Sequence, residues 1–325
     1  MAGFDVDPAC EYPYSTNTKA KFVLGDIRAV SGAELAKLYP LGSVRLLAGC
    51  APCQPFSPHL RKAGKTNEKD WALLKEFSRL VNELKPELVT MENVPGLATK
   101  QIFFDFVTAL KSNDYEVDFR SLHCPRFGIP QHRRRLVLVA SKIGRIQVPS
   151  PRRSRENFPT VRKAIGHLPA LKAGATPRDP LHITRALSAL NLRRIQASKP
   201  GGTWKEWPSE LRSSCHLKPT GRSYQSVYAR MTWDRPAPTI TTQAHNFGTG
   251  RFGHPEQDRA ITLREAAILQ SFPRHYEFVR PGDPVYLTKV GKLIGNAVPP
   301  RLAYFIGVEL ARAARMARWP SPEPN

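Results

Sequence analysis

Acidic residues are scarce in this chain of 325 residues: 27 Asp and Glu stand against 49 Lys and Arg, a formal charge of +22 at neutral pH. The basic residues run along the whole chain and are not confined to a tail. So large an imbalance repels itself and makes sense when a polyanion neutralises it, which points to nucleic acid, with an Arg-rich genome as the competing explanation. No long basic amphipathic helix points to an anionic membrane surface. Long apolar runs are missing too: no stretch reaches the length of a membrane span, and the N-terminus has no signal-peptide pattern, so a cytoplasmic protein is expected. Cysteine is limited to five residues, unevenly spaced. An odd, irregular set makes no disulfide framework and fits a reducing compartment with a free thiol.

What is present centres on Leu46 to Ser57, where the apolar run Leu46, Leu47, Ala48 stops in Gly49, Cys50, Ala51, Pro52, Cys53, Gln54, Pro55. A short apolar run ending in breakers reads as a buried parallel strand that delivers a loop at its C-terminal end, the usual place for chemistry in an open α/β sheet. The run from Leu88 to Gly96 repeats the pattern and ends in Glu92, Asn93, Val94. Cys53 is the candidate nucleophile, and Glu92 the candidate acid at a neighbouring strand end. Cys50 and Cys53 also form a Cys-x-x-Cys, but a zinc site needs a second ligand pair, and Cys10, Cys124 and Cys215 are isolated. No metal is expected. A thioredoxin-like pair fits poorly in a Pro-rich loop with no matching βαβ pattern before it, and two inert buried cysteines are the plainer alternative.

Elsewhere the periodicity predicts a crossover helix over Trp71 to Lys85, from Leu74, Phe77, Leu80, Val81 and Leu84, and a second helix over Ile102 to Lys111. Tyr115, Val117 and Phe119 alternate as a strand, and Leu136 to Ala140 reads as another buried one. The βαβ rhythm supports a mainly parallel sheet with helices on both faces. At the N-terminus, Asp5 ends a strand-like segment, where nucleotide-binding folds place the acid that holds ribose hydroxyls. Residues 141 to about 185 are rich in Pro, Arg and Ser, a linker composition. The interval to about 262 has few periodic runs. Its glycines, arginines and aromatics, among them Gly201, Trp204, Trp207, Tyr228 and Arg230, could follow a DNA groove or form irregular β structure. Thr262 and Glu265 are spaced for a capping box. No internal repeat is found.

These residues resemble the DNA (cytosine-5)-methyltransferases. That family's nucleophile loop has the form Pro-Cys-Gln followed by Phe-Ser, matched by Pro52, Cys53, Gln54, Phe56 and Ser57, and its acid lies in Glu-Asn-Val, matched by Glu92, Asn93 and Val94. Its Gln-x-Arg-x-Arg is matched by Gln131, Arg133 and Arg135. Its Arg-Glu-x-x-x-x-Gln-x-Phe-Pro helix is matched from Arg264 to Pro273, and its Gly-Asn-x-Val-Pro by Gly295, Asn296, Val298 and Pro299.

The resemblance covers nearly the whole chain and implies a Rossmann-like α/β sheet that binds S-adenosylmethionine, with a smaller, irregular, β-rich target-recognition domain. The implied division is 1–175 catalytic, 176–275 target recognition, and 276–325 returning to the catalytic domain. Cys53 would add to cytosine C6 of a flipped base, Glu92 would meet N3 and the exocyclic amine, and Arg133 and Arg135 would contact the base and the acid. Asp5, Val6, Asp26, Ile27, Pro52 and Asn296 would hold the cofactor. Gln54, Ser57 and Thr239 would meet double-stranded DNA, and a companion restriction endonuclease is implied by family habit. One element is not matched: the Phe-x-Gly-x-Gly loop and its strand, expected ahead of Asp5. The rival readings are a DNA-binding relic or subunit without that loop, and an RNA cytosine methyltransferase, against which the long interval after Ala140 speaks.

Overall fold

The computed structural model describes residues 1–51, 72–175, 178–218, 221 and 225–318. Its helices and strands, in chain order, are β1 (Ala2–Asp5), α1 (Glu11–Thr18), β2 (Lys21–Leu24), α2 (Gly32–Ala36), β3 (Leu46–Gly49), α3 (Ala72–Leu84), β4 (Leu88–Asn93), α4 (Gln101–Ser112), β5 (Glu116–His123), β6 (Arg134–Ser141), α5 (Val161–Ile165), α6 (Ala189–Gln196), α7 (Leu263–Leu269), α8 (Leu287–Asn296) and α9 (Pro300–Arg318). Two compact units result. The first comprises residues 1–123, 134–150 and 303–325, and the second 124–133 and 151–302. The expected boundaries at 175 and 275 both fall inside the second unit, because Val161 and Ile165 share one apolar core with Leu263, Leu269, Val290 and Ile294.

In the first unit, α3 forms where periodicity places it and buries Leu74, Phe77, Leu80, Val81 and Leu84. It stops at Lys85, whose left-handed φ of 47° precedes Pro86, a residue that cannot continue a helix. Strands β3, β4, β6 and β5 make one sheet in that order. β3 and β4 are parallel, but β6 runs antiparallel to both β4 and β5. The sheet is therefore mixed where a mainly parallel one was expected. Only residues 124–133 separate β5 from β6, too few for the helical crossover that a parallel return needs. β6 is buried from Leu136 to Ser141, which explains its unbroken apolar run.

β1 and β2 form a separate parallel pair. Among the described residues, β1 has a strand partner only on its β2 side and β3 only on its β4 side. Phe4 and Leu47 nevertheless pack on the same small core of Leu35, Leu80 and Leu84.

The second unit is irregular. Among its described residues there is no β-strand, only isolated bridges such as Gln131 to Ala237 and Arg230 to Gly253, so the β-rich expectation is corrected. Pro200, Gly201, Gly202, Pro208, Pro236, Pro238 and the glycines from 248 to 253 interrupt any ladder. Its order comes from burial and from a charged network. Arg259 and Glu265, both essentially inaccessible, pair in bidentate fashion at 2.8 and 2.7 Å. Thr262 and Glu265 complete the capping box of α7.

His254 sits against this pair, its Nδ1 accepting from the amides of Glu256 and Gln257 at 3.2 and 3.0 Å. Burial outweighs the nearby Glu265 charge and holds the imidazole pKa down at about 4, against an ordinary 6.5. Because the unfolded chain takes the proton first, the contribution of neutral His254 is complete above pH 6.5 and is lost as the pH falls through 4. Urea unfolding of the wild type should therefore show stability dropping across that window, and His254→Gln should flatten part of the drop. An unchanged slope in the variant would contradict the assignment.

Candidate active site

The end of β3 is built for close packing: a methyl group on Gly49 would lie 2.5 Å from the Phe77 ring of α3. Cys50 and Ala51 follow. Pro52, Cys53, Gln54 and Ser57 lie outside the described residues. The neighbouring strand end is held to this one by Asn93, which is buried and donates its side-chain amide to the Ala51 carbonyl at 2.9 Å. The same side chain accepts from the Val94 amide at 2.8 Å. Sequence reasoning passed over Asn93, and its signal was its place beside the acid in Glu-Asn-Val.

Glu92 pairs with Arg135 at 2.8 Å, both side chains nearly buried at 13 % and 12 % exposure. The register explains the contact. Glu92 on β4 faces Val137 on β6, so Arg135, two residues earlier, is its diagonal neighbour on the same face. In so little water the guanidinium and carboxylate hold each other in place, and either alone would be an uncompensated charge.

Asp5 and Asp26 stand at one end of the parallel pair β1 and β2, in which Asp5 is level with Leu24. Asp5 accepts from the Asp7 amide at 2.8 Å, and Gly25 donates its amide to the Asp5 carbonyl at 3.0 Å. Asp26 caps the short turn Ile27–Ala29 by accepting from the Arg28 amide at 2.9 Å. It also binds the Arg28 guanidinium, which lowers the carboxyl pKa to about 2. The loop after it is clamped from α3: Arg79 donates to the Val30 carbonyl at 2.9 Å, and Glu83 accepts from the Gly32 amide at 2.7 Å. Neither clamp was legible in the sequence. Two carboxylates at adjacent strand ends, flanked by exposed Val6 and half-buried Ile27, suit a ligand with hydroxyl and amino donors beside a flat apolar ring.

The remaining site candidates belong to the second unit. Arg133 is buried and donates to the carbonyls of Ile240 at 3.0 Å, Gly295 at 3.2 Å and Ala297 at 3.4 Å. Of the two arginines expected to reach the acid, Arg135 is the one that pairs with Glu92. Gln131 donates to Gln270 and accepts from the Ile240 amide at 2.8 Å. Gln270 in turn donates to the carbonyls of Ile294 and Ala297 at 3.1 and 3.0 Å. Thr239 donates its hydroxyl to the His132 carbonyl at 2.7 Å, and Asn296 is exposed at the end of α8. Thus the Gln-x-Arg-x-Arg segment splits its work between a buried clasp and the acid. Among the described residues, no three His, Cys, Asp or Glu side chains could hold a metal, and no helix is long and apolar enough to cross a membrane.

Comparison with known proteins follows the same residues. The family described as C-5 cytosine-specific DNA methylase matches residues 1–312. The Type II methylase M.HgiDII of Herpetosiphon aurantiacus is 48 % identical over 316 residues, 96 % of this chain and 88 % of that protein. The Type II methyltransferase M1.BsuMI of Bacillus subtilis is 36 % identical over 82 % of this chain and 60 % of its own length. Among solved structures, a prophage-encoded E. coli protein described as a DNA modification methyltransferase superposes with a TM-score of 0.73, at 20 % identity, over 97 % of this chain and 92 % of that one. That last likeness speaks for the fold alone.

The clasp yields a test. A methyl group on Gly295 would lie 2.3 Å from the Thr242 amide nitrogen and 2.4 Å from the Thr241 carbonyl carbon, contacts with backbone that cannot swing away. Gly295→Ala should cost about 1–3 kcal/mol in urea unfolding, the usual range for overpacking. A change under about 0.5 kcal/mol, within the range of an ordinary surface substitution, would show that α8 is not seated there.

Proposed function

Since the chain belongs to the C-5 cytosine-specific DNA methylase family, we propose that it methylates C5 of cytosine in a specific double-stranded DNA sequence. S-adenosylmethionine is the donor, and the setting is a cytoplasmic restriction–modification system with a companion endonuclease. The observation that carries this reading is the nearly buried Glu92–Arg135 pair, one residue from the Asn93 clasp on the strand end that runs into Pro52, Cys53 and Gln54.

Cytosine C5 is too poor a nucleophile to accept a methyl group unaided. Addition of the Cys53 thiolate to C6 turns the ring into an enamine and splits one hard step into two easier ones. Glu92 meets the exocyclic amine and N3, giving a proton to N3 as negative charge builds on the ring. Arg135 holds Glu92 and offers N–H donors to the base oxygen. Because C6 is hidden in a duplex, the base is flipped out of the stack. Once C5 carries the methyl group, loss of its remaining proton to water expels the Cys53 thiolate, and N3 returns its proton to Glu92.

Asp5 would hold the ribose hydroxyls of S-adenosylmethionine and Asp26 its adenine amine, with Val6, Ile27, Pro52 and Asn296 completing the site. When bound, that molecule supplies an electrophilic methyl group. We assign Arg133 to positioning, Thr239 with Gln54 and Ser57 to DNA, residues 176–275 to target recognition, and residues 1–175 with 276–325 to a Rossmann-like catalytic part. Cys53→Ser should abolish formation of 5-methylcytosine, read by nucleoside mass spectrometry, while duplex binding persists. Glu92→Gln and Arg135→Gln should lower kcat by about 10²–10⁴ and 10²–10³ respectively. Full activity in the Ser variant would refute the assignment.

A second reading, a subunit that takes a further strand, is supported by β1 and β3 each having, among the described residues, a strand partner on one side only. On this view a parallel strand carrying a Gly-rich loop completes the sheet and the cofactor site. Calorimetric titration with S-adenosylmethionine should then show weak binding by residues 1–325 and tight binding once such a strand is supplied, in cis or as a second polypeptide. Tight binding without it would make the loop dispensable.

A further inference from the structure

Arginines gather on the turn that closes at Gly128. The turn is set by the Gly128 amide donating to the Pro125 carbonyl at 3.1 Å, and Gly128 has a left-handed φ of 79°. Its other carbonyls are taken from outside the turn. Arg126 accepts from the Arg152 amide at 3.0 Å, and Phe127 accepts from Arg301 Nε at 2.8 Å. A methyl group on Gly128 would lie 2.9 Å from Arg301 Nε, 3.2 Å from Arg301 Nη2 and 3.3 Å from Arg153 Nε. Two guanidinium groups from segments far apart in sequence therefore converge on one point, which a side chain on residue 128 would fill.

The surroundings are positive as well. Arg126, Arg152, Arg153, Arg155 and Arg301 are all exposed. The acid of that segment, Glu156, accepts from the Ser154 hydroxyl at 3.3 Å. Arg301 lies in the first turn of α9, a nineteen-residue helix whose positive dipole end adds to the field. Burial, with the charges of Arg235 and Arg155, pushes the His132 imidazole pKa down from its ordinary value.

We propose that Arg153 and Arg301, converging over Gly128, form a clamp for a backbone phosphate of duplex DNA. This rests on the reading that the protein works on DNA, and it assigns a contact outside the residues so far given to DNA. Paired guanidiniums match phosphate oxygens in geometry as well as charge, and such a contact fixes position on the duplex without reading sequence.

The test is the salt dependence of duplex binding by the full chain, measured with a cognate and an unrelated duplex. Each phosphate contact contributes about 0.9 to the slope of log affinity against log salt. Because both guanidiniums hold one phosphate, the double variant Arg153→Gln with Arg301→Gln should reduce the slope by about 0.9, and each single variant by part of that, equally on both duplexes. The charge-conserving Arg153→Lys with Arg301→Lys should keep most of the slope. Arg120→Gln, whose guanidinium lies 3.3 Å from Asp118, should leave it unchanged. An unaltered slope in a folded double Gln variant overturns the clamp alone, and no duplex binding by the wild type overturns the DNA reading and the clamp together. Displacement by inorganic phosphate at constant ionic strength, well beyond that by chloride, would reassign the site to free phosphate.

Discussion

The nearly buried ion pair between Glu92 and Arg135 is the constraint from which the rest of the first unit follows. A carboxylate and a guanidinium removed from water are tolerable only together, and stripping one from the other costs about 3–5 kcal/mol at buried sites. Holding them at 2.8 Å requires β6 beside β4 in one register, antiparallel, with Arg135 diagonal to Glu92. The short connection from β5 delivers that direction. Asn93, the next residue, then ties the Glu92 strand to the end of β3. The acid is thereby fixed relative to Ala51, the residue that the sequence continues into Pro52 and Cys53, and the proposed catalysis by a thiol and a carboxyl group on one base calls for such fixity.

Among its described residues, the second unit reaches order without a sheet. Gln131, Arg133 and Gln270 draw the carbonyls of Ile240, Ile294, Gly295 and Ala297 into one buried hydrogen-bonded clasp. Gly295 lets α8 approach the backbone at Thr241 and Thr242. A second network, Arg259 with Glu265 and His254, pins α7. Motifs far apart in sequence thus serve mainly to satisfy one another, and a half-satisfied network of this kind is worse than an apolar core.

Much of this was legible in the chain. The spacing of Leu74, Phe77, Leu80, Val81 and Leu84 gives α3 directly, the apolar run from Leu136 gives β6, and Thr262 with Glu265 gives the cap of α7. These are local patterns. Strand direction is not local: nothing in the residues of β6 says that it runs antiparallel, and only the shortness of the connection from His123 to Arg134 could have. The separate roles of Arg133 and Arg135 were likewise hidden, since both sit two apart in one motif while their partners lie over a hundred and over forty residues away respectively. Arg28 on Asp26, and Arg79 on the loop after it, are ion pairs and carbonyl contacts that any surface arginine could have made. The sequence marks the second unit as irregular, but not as lacking strands among its described residues, because Gly and Pro show where ladders break and not whether they form.

In the proposed mechanism, addition of Cys53 to cytosine C6 makes C5 basic, so water can protonate it, and loss of the original hydrogen to water as a proton, with expulsion of the thiolate, completes an exchange. That exchange needs the nucleophile and the acid but no methyl donor, which isolates the central claim from every question of cofactor binding. The direct measurement is release of tritium from duplex DNA labelled at cytosine C5, with the purified chain and no S-adenosylmethionine. The account predicts release by the wild type, none by Cys53→Ser, and strongly slowed release by Glu92→Gln. Release that survives in the Ser variant, or a wild type that binds the duplex and exchanges nothing, would contradict it.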